Sequence, residues 1–532
     1  MRTLLLGAIA IISSVTPMSA QVCEGTITLV SQEQVGDFAC TEIRGNLYIG
    51  SLFATEPVTS PITSLESLGS LTLVSEALLV FGANSLVNFR GLDELRTVGD
   101  INLYRNEQLT SLEGLGSLES VSLLTMTENP SLVSLSGLSA LVETTRGIVL
   151  NDNDALVDLQ SLPTLSSVPF IGISNSDGLQ SLEGIGNLGY ITSLSLTNNN
   201  NLTSLRGLPN QESFHEITIR GHNKLESLDA LASVTSTSGF IILRENGRLE
   251  SLDGLDNLEQ TRALFLARNN ALANLDALAK LSSARGLSIS DNNSLTDISG
   301  LLNLTEIADR LSISGNDRLT NLHGLNNLRS VDSTLSLTNT AFVHVDELSR
   351  LEYVGHEIFI RRNESLQNVD GLANVRGLQA SPLEPATLNV QDNHQLSVCS
   401  TGLGAILTDE YDGERDLVFR DNATGCNSVE EILATYTDTE NEGALVTTTL
   451  TAAYPNPSAG LFAFSYTLAE PAIVTLAIYD MLGRQVAAVE QGSRGAGTHE
   501  IDWMEANLPA GTYVLRLDTD SEIHTQRLTL VR

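Results

Sequence analysis

The residues that could do chemistry in this 532-residue chain are few and scattered. His215, His222, His323, His344, His356, His394, His499 and His524 stand apart, with no spacing that would bring two of them to one metal. The four cysteines form no CxxC pair and no Cys/His cluster, so a structural zinc site is not expected. HExxH, the phosphate-binding Walker loop and the dinucleotide fingerprint are all missing from the sequence. Gly172-Ile173-Ser174-Asn175-Ser176 opens like a nucleophile elbow, but it lacks the final glycine and falls on a predicted strand. No catalytic residue, metal or cofactor is therefore expected. What remains is recognition chemistry. Ile242 and Phe265 fall at adjacent outward positions of a repeat, with Arg220, Arg244 and Arg268 beside them. Phe359 with Arg361 and Arg362, and Arg420 further on, make a smaller set. Arginine and aromatic side chains are the usual anchors of binding sites, so these residues predict a surface for an anionic or stacking ligand. The competing expectation is that the arginines pair with neighbouring carboxylates and form ordinary solvated surface.

These residues are positioned by a ladder of apolar anchors: Ile62, Leu86, Leu109, Leu132, Leu156, Leu179, Leu202, Leu225, Leu249, Leu272, Leu295, Leu319, Phe342 and Leu366, always 23 or 24 apart. A period of this size marks a solenoid, in which each repeat is too small to bury its own apolar face and stacks on its neighbours. Before each anchor two apolar residues flank one outward residue, as in Ile101/Leu103, Ile148/Leu150, Ile241/Leu243 and Ile358/Ile360, the pattern of a short strand with one buried face. Leu109, Leu112 and Leu115 then recur every third residue. About a dozen residues separate a strand from the end of the next anchor segment, too few for a full helix in each coil. The fold class is therefore mainly β: a long parallel β-solenoid of 23–24-residue leucine-rich coils, its strands about 4.8 Å apart, plus a small C-terminal antiparallel β-sandwich.

Asn106, Asn129, Asn153, Asn199, Asn246, Asn269, Asn292, Asn316 and Asn363 each stand three residues before an anchor, with Ala83, Ser176 and His222 in the same place elsewhere. At Phe342 the preceding turn looks one residue short. A row of ligand-binding amides is one reading. An inward ladder that satisfies backbone groups at a bend is the stronger one, because buried backbone must be paired.

A net charge of −35 repels nucleic acid. Lys224 and Lys280 are the only lysines, and an acidic, lysine-poor surface suits a secreted protein or a salty habitat. Residues 1–20 read as a secretory signal: Arg2, an apolar stretch over 4–12, and Pro17-Met18-Ser19-Ala20 before the cut. No other apolar run is long enough to span a bilayer. In an exported chain the simplest cysteine pairing is Cys23 with Cys40 and Cys399 with Cys426, one disulfide closing each end of the ladder.

Cys23-Glu24-Gly25-Thr26-Ile27-Thr28-Leu29 and Ala39-Cys40-Thr41-Glu42-Ile43-Arg44-Gly45-Asn46-Leu47-Tyr48-Ile49 resemble the opening of receptor L domains, the ligand-binding solenoids of the insulin and epidermal growth factor receptors. The repeat Ile62-Thr63-Ser64-Leu65-Glu66-Ser67-Leu68 is similar to theirs and to bacterial leucine-rich repeats. The chain departs from those receptors in its length and in the number of its uniform coils, so the resemblance implies architecture more than any ligand.

Residues 436–452 are acidic and threonine-rich and read as a linker. Beyond them the period changes to alternation: Val474, Leu476 and Ile478, then Tyr513, Leu515 and Leu517. Tyr454-Pro455-Asn456-Pro457, Tyr479-Asp480-Met481-Leu482-Gly483-Arg484 and Leu508-Pro509-Ala510-Gly511-Thr512-Tyr513, with the basic end Arg527-Leu528-Thr529-Leu530-Val531-Arg532, resemble the C-terminal sorting domain of type IX secretion cargo. That resemblance implies Sec export in a Gram-negative bacterium, engagement of the type IX machinery, passage across the outer membrane, and then release or surface attachment.

The domain organisation expected is a signal peptide (1–20), a disulfide-capped solenoid (21–435), a linker (436–452) and a sorting domain (453–532). The function expected is non-enzymatic recognition of an extracellular protein or glycan. The alternatives are a glycan-active enzyme with carboxylates converging across coils, and a structural surface spacer.

Overall fold

A computed structural model of the chain describes residues 21–51, 61–376 (without 161, 163 and 164), 378, 385–408, 415–436 and most of 448–531. The expected signal peptide and the core of the expected linker lie outside the described residues. The chain divides into two compact units, 1–436 and 437–532.

Among the described residues of the first unit, twenty-three strands from Val22–Glu24 to Arg415–Arg420 join one parallel sheet. The register follows the ladder: Ile101 pairs with Leu124, Leu124 with Ile148, and Ile148 with Ile171. Each inward residue thus packs on its equivalents in the coils on either side. Ile101, Leu103, Leu109, Leu112, Leu115 and Leu118 are all fully buried, and the other coils repeat this pattern in a single continuous core.

The segments opposite the strands carry apolar residues every third position. That is the period of a 3₁₀ turn rather than of an α-helix, and single 3₁₀ turns form at Asp229–Leu231, Asp276–Leu278, Ser299–Leu301, Asp346–Leu348 and Asp370–Leu372. The mixture of 23- and 24-residue coils is absorbed by irregularities in the ladder. Between Val121 and Leu123 the register slips by one against Thr144 and Gly147. Gly147 has φ +133, and a Cβ there would lie 2.1 Å from the Phe170 carbonyl oxygen, so only glycine fits that bulge.

The asparagine ladder is structural. All nine asparagines are fully buried. Asn106 donates from Nδ2 to the Val80 carbonyl at 3.0 Å and accepts from the Ala83 amide at 3.0 Å, so one side chain satisfies two backbone groups at the bend. Asn393 and Asn422 continue the ladder into the last coils. In the short turn before Phe342, buried Thr340 takes the place and donates its hydroxyl to Asn363 Oδ1 at 2.7 Å. The residue before each rung commonly adopts left-handed backbone, including Glu128, Asp152, Glu245, Arg268 and Asp291, which turns the chain sharply out of the strand.

Both ends of the ladder are covered. At the N-terminal end the helix Gln32–Gly36 buries Val35, and Cys23 is joined to Cys40. At the other end the helices Ser400–Thr408 and Val429–Thr435 cover the last coil, and Cys399 is joined to Cys426. Both disulfides are the pairs expected.

The second unit places an antiparallel sheet of Thr449–Leu450, Leu461–Leu468 and Gly497–Met504 against another of Ala472–Asp480, Gln485–Arg494, Gly511–Asp518 and Ile523–Leu530. Phe462, Phe464 and Tyr466 from the first sheet share a core with Val474, Leu476, Leu515 and Leu517 from the second. Thr449–Leu450, expected within the linker, is instead a strand of this unit. Buried Leu450 outweighs the polar composition around it.

Candidate recognition surface

The strands present one outward row after another to solvent, and the parallel register aligns equivalent positions of successive coils. Ser288, Ser312 and Ser336 are in register, as are Ser290, Ser314 and Thr338. Aromatic and basic residues interrupt this hydroxyl-rich face.

Thr218, Ile242, Phe265 and Ser288 form one in-register row. Phe265 is exposed and Ile242 half-buried. Arg220 and Arg244 are in register as expected. They do not form a free basic stripe with Arg268, however, because all three converge on Glu245. Arg220 Nε lies 3.1 Å from its carboxylate, Arg244 Nε 3.2 Å and Arg268 Nη1 3.2 Å, and Arg268 also reaches Asp291 at 3.6 Å. The hydrogen bond from Arg220 is the main cause holding the Glu245 carboxyl below its ordinary pKa. Glu245 can serve all three because it sits in the left-handed turn directly after Arg244, between the coils of the other two. The guanidiniums are committed to this carboxylate.

The second predicted set closes on itself. The Arg361 guanidinium lies 4.2 Å from the Phe359 ring centre, Arg362 reaches Asp392 at 3.9 Å, and Arg420 donates to Gln391 Oε1 at 2.8 Å.

A groove of about 270 Å³ opens at the other end of the Phe265 strand. Phe240 and Phe265 form one wall, with ring centres 5.8 Å apart and planes tilted by 58°. Ala263 and Gly286, in register on adjacent coils, make a floor of minimal side chains. Arg262, Arg285 and Arg310 rim it, and Arg262 lies 5.7 Å from the Phe240 ring centre. Phe265 is the one of these residues expected from the sequence; Phe240 and the three arginines are not. They fall before the two inward residues of each strand, and a bulge between Thr237 and Phe240 sets where Phe240 points. The available signal was the recurrence of arginine at 262, 285 and 310 on three successive coils.

Two other features of the surface are shallower. A hollow of about 390 Å³ lies among turn residues near Glu183 and Arg206, which pair with each other at 3.1 Å. Tyr48, Phe81 and Tyr104 form a half-buried edge-to-face row near the N-terminal end, with centroid separations of 6.2 and 6.0 Å. Ser174 of the elbow-like segment donates to Asn151 Oδ1 at 2.7 Å rather than to a base. Among the described residues no three His, Cys, Asp or Glu side chains gather as a metal site.

The sorting motifs have clear structural roles in the second unit. Asp480 accepts from the amides of Leu482 and Arg484, each at 2.9 Å, and from Arg484 Nε at 2.7 Å, closing the turn in which Gly483 has φ +78. The Tyr513 hydroxyl donates to the Pro509 carbonyl at 2.7 Å, which pins the turn before Gly511. Asn456 accepts from the Thr529 amide at 2.7 Å and donates to the Arg527 carbonyl, so it holds the final strand. Tyr454, Pro455 and Pro457 lie outside the described residues.

Residues 452–531 match the family of secretion system C-terminal sorting domains. No curated protein matches the chain. The sorting domain marks the chain for export to the cell surface or the extracellular space, and no described helix is long and apolar enough to cross a membrane.

Proposed function

We propose that this is an exported, non-enzymatic recognition protein whose solenoid binds an extracellular protein or glycan, and that the sorting domain delivers it through the type IX machinery. The observation that carries this reading is the groove at Phe240 and Phe265. There a long, regular hydroxyl-rich face gives way to two exposed aromatic rings and three arginines. Exposed aromatic and arginine side chains grouped on a rigid scaffold are what binding sites are built from. The resemblance of the ladder to receptor L domains, themselves ligand-binding solenoids, supports the same reading.

The test is to probe the mature chain against an array of glycans and extracellular proteins, alongside a Phe240→Ser/Phe265→Ser variant. Selective capture that the variant loses is the expected result. Equal capture by both proteins would move recognition away from this face. No capture at all would favour a structural spacer, and turnover of an arrayed glycan would favour an enzyme.

A further inference from the structure

We infer that the Phe240–Phe265 groove takes one or two units of an acidic polysaccharide, with the chain continuing along the serine rows. This rests on the recognition reading above and names the ligand chemistry of the same site.

The first argument is charge. Arg262, Arg285 and Arg310 are exposed and have no ion-pair or hydrogen-bond partner among the described residues. Further along these strands Arg220, Arg244 and Arg268 are instead held by Glu245. Among the described residues that line the groove, Asp309 is the one carboxylate. Three guanidiniums without a carboxylate partner on successive coils, on a chain of net charge −35, make a local anion site. Guanidinium donors suit carboxylate and sulfate groups geometrically.

The second argument is shape. The floor is Ala263 and Gly286, where a Cβ at Gly286 would meet the Ala263 Cβ at 3.4 Å, in ordinary contact, so a longer side chain there fills the groove without straining the strand. The ring wall, with Phe240 36% and Phe265 38% exposed, offers an apolar face for the C–H side of a sugar ring. At about 270 Å³ the groove is no larger than the smallest enclosed ligand pockets, roughly 300–1,000 Å³. It fits a segment of a chain better than an engulfed small molecule.

The third argument is continuity. Ser288 lines the groove and begins the row through Ser312 to Ser336, with Ser290, Ser314 and Thr338 beside it. These hydroxyls repeat about every 4.8 Å and can donate to and accept from a polyhydroxylated chain laid across the strands.

The experiment is isothermal titration of the mature chain with polygalacturonate, chondroitin sulfate, neutral dextran and poly-glutamate, at low and high salt. Binding to one or both acidic polysaccharides, weakened by salt and not seen with dextran, is expected. The carboxylated and sulfated arms identify which anion is preferred. Arg262→Ser/Arg285→Ser/Arg310→Ser and, separately, Gly286→Met should each weaken binding at least about tenfold without moving the melting midpoint. Arg96→Ser, distant in sequence and outside the groove, should bind as the parent does. Undiminished binding by both groove variants overturns the inference, and so does a preference for poly-glutamate. If the parent ignores acidic polysaccharides but captures a neutral glycan or a protein on the array, the ligand class is wrong and the recognition reading stands. If it captures nothing, both fail.

Discussion

Asn269 donates its side-chain Nδ2 to the carbonyl of Leu243 at 2.8 Å, tying the end of one strand to the bend of the next coil. Its Oδ1 meanwhile accepts from the Asn246 amide at 3.1 Å. Asn269→Ala would leave the buried Asn246 amide unpaired and remove the side-chain donor to the Leu243 carbonyl, at about 1–3 kcal/mol for the orphaned amide. A lowered urea midpoint is the expected outcome. Asn257→Ala should shift it little, because the Asn257 contact to the Ala232 carbonyl is exposed to water. Equal effects from the two variants would show that the ladder does not stabilise the bends.

His222 occupies one rung of that ladder. Its Nδ1 donates to the Asn199 carbonyl at 3.1 Å, while Nε2 is buried without a hydrogen-bond partner. Burial pushes the imidazole below its ordinary value of 6.5, and the Asn199 and Leu196 carbonyls oppose this only in part. The unfolded chain therefore binds a proton that the folded chain resists. Stability is unaffected well above about pH 6.5 and falls as pH drops below it, until the folded imidazole also protonates. His222→Asn restores the common rung and should remove this acid-side loss. Melting midpoints at about pH 5 and about pH 8 should then differ less in the variant than in the parent. An unchanged pH dependence would show that His222 does not carry it.

Cys399 and Cys426 close a 27-residue separation at the C-terminal end. Loop-closure entropy gives such a link a stabilising effect of roughly 3–4 kcal/mol. An end coil has a neighbour on one side only, so the loss in Cys426→Ser should be local. Hydrogen exchange should rise first in Ala386–Gln391 and Arg415–Arg420, with the central strands still protected. Uniform loss along the sheet would contradict this.

Deletion of residues 453–532 should leave the solenoid folded and retain it in the periplasm, because the ladder is closed by its own caps. In the full chain, Tyr513→Phe removes the bond to Pro509 and should destabilise the sorting unit by about 1 kcal/mol. Asn456→Ala releases the final strand and should reduce the surface or extracellular fraction. Cell fractionation reads the deletion and Asn456→Ala, and urea unfolding of the full chain reads Tyr513→Phe. Normal surface levels of the truncated protein would show that the address lies elsewhere.

The solenoid was legible because its information is local and repeated. Ile101, Leu103, Leu109 and Leu112 announce an inward face by spacing alone, and stacking like on like then leaves one arrangement that buries them all. The asparagine rungs and both disulfides followed from the same regularity, since a bend needs its backbone paired and a ladder has only two ends. Other features needed the tertiary structure. Glu245 gathers Arg220, Arg244 and Arg268 from three coils, and nothing in a chain with 64 carboxylates marks this one as their shared partner. Phe240 reaches Phe265 through a bulge that depends on how one coil's extra residue is accommodated by the next. Asn456 holds a strand more than seventy residues away. Burial pattern is written into side-chain periodicity, because apolar residues must leave water wherever they fall. Polar pairing depends on distances between separate coils and strands, which exist only once the chain has closed.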